Sequence, residues 1–412
     1  MHRKILVLLL FICGLSAQVR AQNEVCPCSS DLKFLDAKIR KTPAYKINKK
    51  AYESSYSKIL KKVAAANTIF DCQVLLNTLL ISLNDNHSKV YSVDKGATVD
   101  IKANPDKFVA FKNSKIFNAF PKPKIDLDSL KTVLNTKPKE DIEGIYTRNN
   151  YITIGVYKSK LQNSYRAVVL NSETEVWVKG EIAYDLIPFG NDYLLSIGGS
   201  LSSKRLIAYT ERIGDGFFYF MGFQKEFSQP NYASIMPSDS TYYRNELSNN
   251  ITYLKVGSFN SWYPTLSDAE NFYKSLEGNL NKSNLIIDLR NNGGGGDRNS
   301  DILYKIIKKY AKTNKVYVLI NHKTVSNAEQ FAYKLSRLDN SLLFGQRTNG
   351  TLAYEIKGDN YTLPCGNFIA VLTSKKDSDY LQFESQGIEP NITLSMETDW
   401  ILQLTRYIEK NN

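Results

Sequence analysis

An α/β fold is the class this sequence predicts, on three observations. From Leu285 to Arg290 runs a short, nearly continuous apolar segment, the pattern of a strand covered on both faces. It ends in Asn291-Asn292 and four successive glycines, Gly293 to Gly296, and a helical pattern follows from about Asn299 to Ala311. Val316 to Ile320 then reads as a second buried strand, and the residues after Ser326 have apolar positions at helical spacing. Strands and helices in alternation, from Ile251 to a last helix around Trp400 to Ile408, define the class.

The chain starts with basic Arg3 and Lys4, an apolar core from Ile5 to Cys13 and small residues up to Ala21. That is the pattern of a signal peptide, residues 1–21, cleaved near Ala21-Gln22. The apolar part is shorter than the about 20 residues of a membrane-spanning helix. Ile12 is bulky where a lipoprotein signal before Cys13 wants a small residue. No later stretch is long and apolar enough to cross a bilayer, so a bacterial protein, periplasmic or secreted and without stable membrane insertion after cleavage, is expected.

Removing Arg3, Lys4 and Arg20 with the leader takes the formal charge from +12 to +9. The lysines are scattered, which reads as solvated surface and argues against nucleic acid as a partner. Four cysteines remain, Cys26, Cys28, Cys72 and Cys365, and allow three pairings in an oxidising compartment. Only Pro27 separates Cys26 from Cys28, so a bridge from one of them to Cys72 is preferred. With only His2, His87 and His322 beside them, no metal site is expected, and no cofactor motif is present.

The length implies two or three domains. Residues 22–135 read as helical, with apolar Leu32, Phe34, Leu35 and Ile39, then Tyr52 to Ala65 and Cys72 to Leu83. Lys46 to Lys50 reads as a loop, and Val90 to Leu130 as loop mixed with short strands. The helical block ends in the polar turn Asn84-Asp85-Asn86-His87-Ser88-Lys89-Val90, which displays His87. Residues 136–232 change texture: runs such as Tyr151 to Tyr157, Tyr165 to Leu170 and Glu175 to Gly180 predict a separate small β-barrel or sandwich. Residues 233–412 form the α/β core.

Chemistry concentrates between Leu285 and Leu352. Glycines in succession let the backbone take positive φ and offer bare N–H groups, as an anion cradle or oxyanion hole does. Ser326 stands where a strand passes into a helix. With Glu329 it fits the Ser-x-x-Glu capping box. The same seat also suits a nucleophile, because the positive helix end stabilises a developing oxyanion. Asp288 and Arg290 read as structural supports of the glycine turn.

Asp288-Leu289-Arg290-Asn291-Asn292-Gly293-Gly294-Gly295, Thr324-Val325-Ser326-Asn327-Ala328-Glu329, Gly345-Gln346-Arg347-Thr348-Asn349-Gly350 and Glu384-Ser385-Gln386-Gly387-Ile388-Glu389-Pro390-Asn391 occur in that order. Together they resemble the four motifs of the C-terminal processing (tail-specific) serine peptidases. The resemblance implies a crotonase-like (ClpP/crotonase-type) core. Where the Ser-Lys branch has its lysine, Gly350 is followed by Thr351, and Lys323 or Lys357 would be improvised substitutes. The tricorn-like Ser-His-Glu branch fits instead. By that resemblance Ser326 is the nucleophile, His87 the general base, Glu384 its orienting acid, and Gly293 or Gly294 with Asn327 the oxyanion donors. His322 competes for the base role. Asn391 replaces the family's usual aspartate, Asn86 stands where some members have serine, and residues 136–232, where many relatives carry a PDZ domain, show no PDZ carboxylate-binding loop.

The function implied is an exported endopeptidase acting on polypeptides through an acyl-enzyme, without cofactor. A catalytically inactive peptidase-fold protein binding peptides or apolar ligands is the alternative, followed by a hydrolase of a non-peptide ester or amide. Cleavage specificity and oligomeric state are left open by the sequence.

Overall fold

A computed structural model of the chain describes residues 26–159, 163–225, 230–235, 238, 240–358 and 360–411; the expected signal peptide and Cys13 lie outside them. It opens with α1 (Cys28–Ile39), α2 (Pro43–Lys62) and α3 (Ile69–Ile81). Thr42 caps α2 with Pro43 in the first position, and Thr68 with Asp71 closes a capping box on α3. The loop expected at Lys46 to Lys50 is helix instead. Its lysines form the exposed face of α2, while Ala44, Tyr45, Tyr52 and Ile59 are buried and only Asn48 (φ −107°, ψ 23°) leaves helical dihedrals. The cap and the apolar stripe outweigh a local run of charge.

After the turn carrying His87 come β1 (Lys89–Ser92), α4 (Val99–Ala103), α5 (Pro105–Lys112) and α6 (Leu127–Asn135). The short strands expected across Val90 to Leu130 are thus mostly helices, because Thr98, Asn104 and Asp126 each accept from a free N–H at a helix start. Then β2 (Gly144–Arg148), β3 (Ile152–Lys158), β4 (Tyr165–Ser172), β5 (Ile182–Phe189), β6 (Tyr193–Gly199) and β7 (Leu206–Glu211) follow as an antiparallel meander, each paired with the next. The hairpin of β8 (Ile213–Gly214) and β9 (Phe217–Phe218) continues it, and Gln224 bridges both Phe217 and Thr147 of β2, bringing the sheet's end back to its start. The strand expected at Glu175 to Gly180 is a turn. There Gly180 takes φ +89° and Trp177 turns inward onto Phe120, ring centroids 4.8 Å apart.

β10 (Tyr242–Ser248), β11 (Ile251–Val256), α7 (Thr265–Leu276), β12 (Asn284–Asp288), α8 (Asp297–Tyr310), β13 (Lys315–Ile320), α9 (Asn327–Ser336) and β14 (Ser341–Gly345) alternate as anticipated. They lead to β15 (Tyr354–Glu355), β16 (Tyr361–Thr362), β17 (Phe368–Val371), β18 (Lys375–Lys376), β19 (Ile392–Thr393) and α10 (Trp400–Lys410). The main sheet has the order β10-β11-β12-β13-β14-β19, parallel except for β10. The strand pleat divides its apolar residues: Leu285, Ile287, Val316 and Val318 pack with Leu303 and Phe331 of the helices α8 and α9, whereas Ile286, Tyr317 and Leu319 pack with Trp400 and Leu404 of α10. The first of these clusters continues without a break into the meander and α1 to α3.

Two ties bring the early helical region onto the core. β1 pairs antiparallel with β17, Lys89 opposite Val371. Disulfides join Cys28 to Cys72 and Cys26 to Cys365, so the preferred Cys72 bridge forms and uses Cys28. Closing the 44-residue separation between Cys28 and Cys72 constrains the unfolded chain. The double variant Cys28→Ser/Cys72→Ser should therefore lose about 2–4 kcal/mol of stability. Guanidinium unfolding measures this, and an unchanged midpoint would show that the bridge does not contribute.

Candidate active site

Ser326 sits in the turn between β13 and α9 with φ 60° and ψ −126°, a conformation that strains any residue with a Cβ. Neighbouring groups hold it there. Val325 N–H donates to Asn292 O at 3.0 Å, and Ser326 N–H donates to Glu329 Oε2 at 2.9 Å. Gly294, φ +88°, lies so close that an added Cβ would stand 2.6 Å from Val325 O and 2.9 Å from Ser326 Cβ. Glu329 N–H reaches the backbone carbonyl of Ser326 at 2.9 Å, and Ser326 Oγ lies 3.0 Å from His87 Nε2. The serine begins the helix, as the capping reading expects, and also presents its hydroxyl to an imidazole.

Glu329, fully buried, was legible only as a capping partner, yet it does more. Its Oε1 accepts from Thr348 Oγ1 at 2.5 Å and Gly350 N at 2.7 Å, and its Oε2 also accepts from Thr351 N at 2.9 Å. Burial pushes its pKa up to about 7, against the hydrogen bonds from Thr348, Gly350, Thr351 and Ser326. This carboxylate fixes the loop after β14 against the start of α9.

His87 arrives on the turn Asp85-Asn86-His87. Asp85 Oδ1 accepts from His87 N at 3.0 Å, and its Oδ2 accepts from Ser88 Oγ at 2.6 Å and Thr373 Oγ1 at 2.5 Å. Glu384 Oε1 accepts from Asn86 N at 2.8 Å, and Oε2 from Leu352 N and Ala353 N at 2.9 and 2.8 Å. Asn86 Nδ2 donates to Gly350 O at 2.8 Å. Glu384 thus grips the backbone around the histidine rather than the ring, and His87 Nδ1 is buried without a hydrogen-bond partner. One donor atom each of Asp85, His87 and Glu384 lie within 4.8 Å of one another. A cation there would compete with N–H and hydroxyl donors for both carboxylates. Burial pushes the half-buried His87 ring down to about 4, with Asp85 opposing and Lys89 adding to the effect. Burial and then Asp85 push Glu384 up to about 8 against its backbone hydrogen bonds.

Of the expected oxyanion donors, Gly294 N–H is committed to Asn292 Oδ1 at 2.9 Å, while the N–H groups of Gly293 and Asn327 donate to no other described group. Asp288 accepts from Arg290 Nη2 at 2.6 Å and Tyr253 OH at 2.7 Å in a fully buried cluster, a structural support. His322 is buried beside Tyr193 and 3.4 Å from Asn349 Nδ2, and burial pushes it down to about 3. Lys357 is exposed and pairs with Glu355 at 2.9 Å. Asn391 Oδ1 accepts from Leu343 N at 2.7 Å, an acceptor role that an aspartate would fill equally. Sequence reasoning missed Asp85. The signal available was its place two residues before His87, with the hydroxyl of Ser88 following.

Residues 250–309 and 297–394 match the sequence model of peptidase family S41. That stretch is similar to peptidase family S41, a family of serine-type peptidases. The curated proteins contain no match to it. Among solved structures, it is similar to the photosystem II D1 C-terminal processing protease at 13% identity, covering 92% of this chain and 96% of that one, TM-score 0.37. It is similar to mature CPAF complexed with lactacystin at 12% identity, covering 93% and 97%, TM-score 0.44. To the tricorn protease the figures are 13% identity, 93% and 36%, TM-score 0.42.

Gly294 is the glycine whose added Cβ would press directly on the Ser326 turn. Gly294→Ala should cost about 1–3 kcal/mol through strain at positive φ and contact with the Ser326 turn. Thermal melting checks this, and a melting point equal to wild type would mean that the turn is looser than drawn.

Proposed function

We propose that this protein is an exported serine endopeptidase, with Ser326 as nucleophile, His87 as general base and Glu384 as the carboxylate that positions the base. The observation that carries the reading is the 3.0 Å approach of His87 Nε2 to Ser326 Oγ, two atoms 239 residues apart in sequence. The neutral imidazole takes the hydroxyl proton as Oγ attacks the peptide carbonyl, and later returns it to the leaving amine. Gly293 and Asn327 N–H, which donate to no other group among the described residues, bind the oxyanion together with the positive end of α9. Glu384 acts through the turn: by fixing Asn86, Leu352 and Ala353 it holds the ring in place, while the charge of Asp85 favours the imidazolium. The α/β core is read as the crotonase-like fold of such peptidases, with the meander sharing its apolar core rather than standing apart as the separate domain expected from the sequence. The leader and the two disulfides support periplasmic or secreted residence.

One observation favours the binding-protein alternative: Nδ1 of His87 has no partner to orient it. Labelling separates the readings. A fluorophosphonate should modify wild type at Ser326 and leave Ser326→Ala untouched. Hydrolysis of an unfolded protein should fall by about 10⁴-fold or more in that variant. Unchanged hydrolysis would remove Ser326 from the mechanism, and a folded wild type that resists the label would favour the binder.

The pH profile follows from the His87 shift. The base works when neutral, and its pKa is lowered toward about 4. The acid limb of kcat/KM should therefore fall well below the about 6.5 of an unperturbed histidine. A limb at or above that value would show that the ring is not desolvated as described.

A further inference from the structure

β11, β12 and β13 run parallel side by side, so the segments that follow them gather at one end of the sheet, the end at which open α/β sheets take their ligands. After β13 comes the turn of Ser326, and after β12 the glycine turn. After β11 come Phe259 to Pro264, a segment that the acyl transfer described above does not use. It is fastened to the glycine turn. Phe259 N–H donates to Gly294 O at 3.0 Å, Gly296 N–H donates to Phe259 O at 2.9 Å and Ser261 Oγ donates to Gly296 O at 3.1 Å, while a Cβ on Gly295 would overlap Phe259 O. Asn260 O accepts from Asn299 Nδ2 of α8 at 2.9 Å, and Trp262 O accepts from Leu266 N of α7 at 3.0 Å. At the tip stand Trp262 and Tyr263, 79% and 69% exposed. Among the described residues they are the only aromatic side chains in the open, and neither ring has a hydrogen-bond or ring partner.

We propose that Trp262 and Tyr263 are a docking platform for an apolar side chain of the polypeptide substrate, at the rim of the site beyond the glycine turn. The inference rests on the serine-peptidase reading of the site. A peptide whose reacting carbonyl lies against Gly293 N–H has the backbone of residues 294–296 beside it, and a chain crossing that turn meets residues 261–263 next. Gly293 to Gly296 put no side chain in its path. Large rings held in water on a fixed support gain by being covered and give up little freedom in the process, which is why Trp and Tyr serve as anchors in recognition. A second copy of the chain is the competing occupant. The hydrogen bonds that tie this segment to the reacting end of the sheet favour the substrate.

The test uses peptides that share one cut site and differ only by Leu against Ser, at one position at a time on either side of it. They are compared on wild type, Trp262→Ala, Trp262→Phe and the double variant Trp262→Ala/Tyr263→Ala. Melting curves show that each is folded, as substitution of exposed side chains allows, and sedimentation gives the mass in solution. At one position or two neighbouring ones, wild type should favour Leu by about tenfold in kcat/KM, the scale of one anchoring ring. That preference should vanish in the double variant, with the change in KM rather than kcat, and Trp262→Phe should keep most of what Trp262→Ala loses. The side of the cut on which Leu is favoured gives the direction of the bound chain. Equal ratios in wild type and the double variant, with cleavage and fluorophosphonate labelling intact, overturn this inference and leave the peptidase reading standing. If the double variant then also has a lower mass in solution, the rings belong to a second copy. Should wild type neither cut nor take the label, the peptidase reading falls, and titration of the same peptides into Ser326→Ala decides. Equal affinity for the Leu and Ser members overturns the platform, and tighter binding of the Leu member that disappears when Trp262→Ala is added supports it.

Discussion

The site depends on carboxylates buried where water cannot reach them and satisfied by groups distant in sequence. Asp85, Glu329 and Glu384 are each nearly or fully buried. A buried carboxylate is costly unless donors surround it, so each one dictates where its donors stand. Glu384 collects N–H groups from Asn86, Leu352 and Ala353, and Asp85 reaches Thr373 beyond β17. Between them they pin the turn bearing His87 to the far end of the chain. Glu329 does the same for the serine turn and the loop at Thr348 to Thr351.

The seat of Ser326 shows how strain is supported by packing. Ser326 keeps its unfavourable dihedrals because the glycine turn presses against it with no side chain between, and because β13 and α9 fix both arms of its turn. The Asp288–Arg290 pair, buried under α10, anchors the root of the glycine turn. A rigid scaffold thereby places one strained residue, the usual relation between stable sheets and reactive turns.

The main sheet was legible because its strands are covered on both faces, and Leu285 to Ile287 cannot sit comfortably elsewhere. Alternation of strand and helix then located Ser326 at a strand-to-helix passage. Lys46 to Lys50 misled because charge on one face hides a stripe such as Tyr45 and Tyr52 on the other. Glu175 to Gly180 misled because Val176 and Trp177 suit a strand by composition, whereas the chain there is turned by Gly180 and fastened by an indole hydrogen bond to Leu201. For the site, a resemblance named His87 and Glu384. Neither spacing nor composition could reveal that Glu384 would meet backbone N–H groups instead of the ring, since those donors assemble only in three dimensions. Asp85 stayed unread for the same reason: its partner Thr373 lies 288 positions away.

That long separation has a bearing on biosynthesis. A ribosome releases the histidine turn early, the serine turn much later and the clamping glutamate nearly last. On the proposed assignment, an emerging or prematurely ended polypeptide therefore owns the imidazole first and the hydroxyl later, but not the clamping glutamate until nearly the end. Chain order thus delays the complete constellation until synthesis is almost finished.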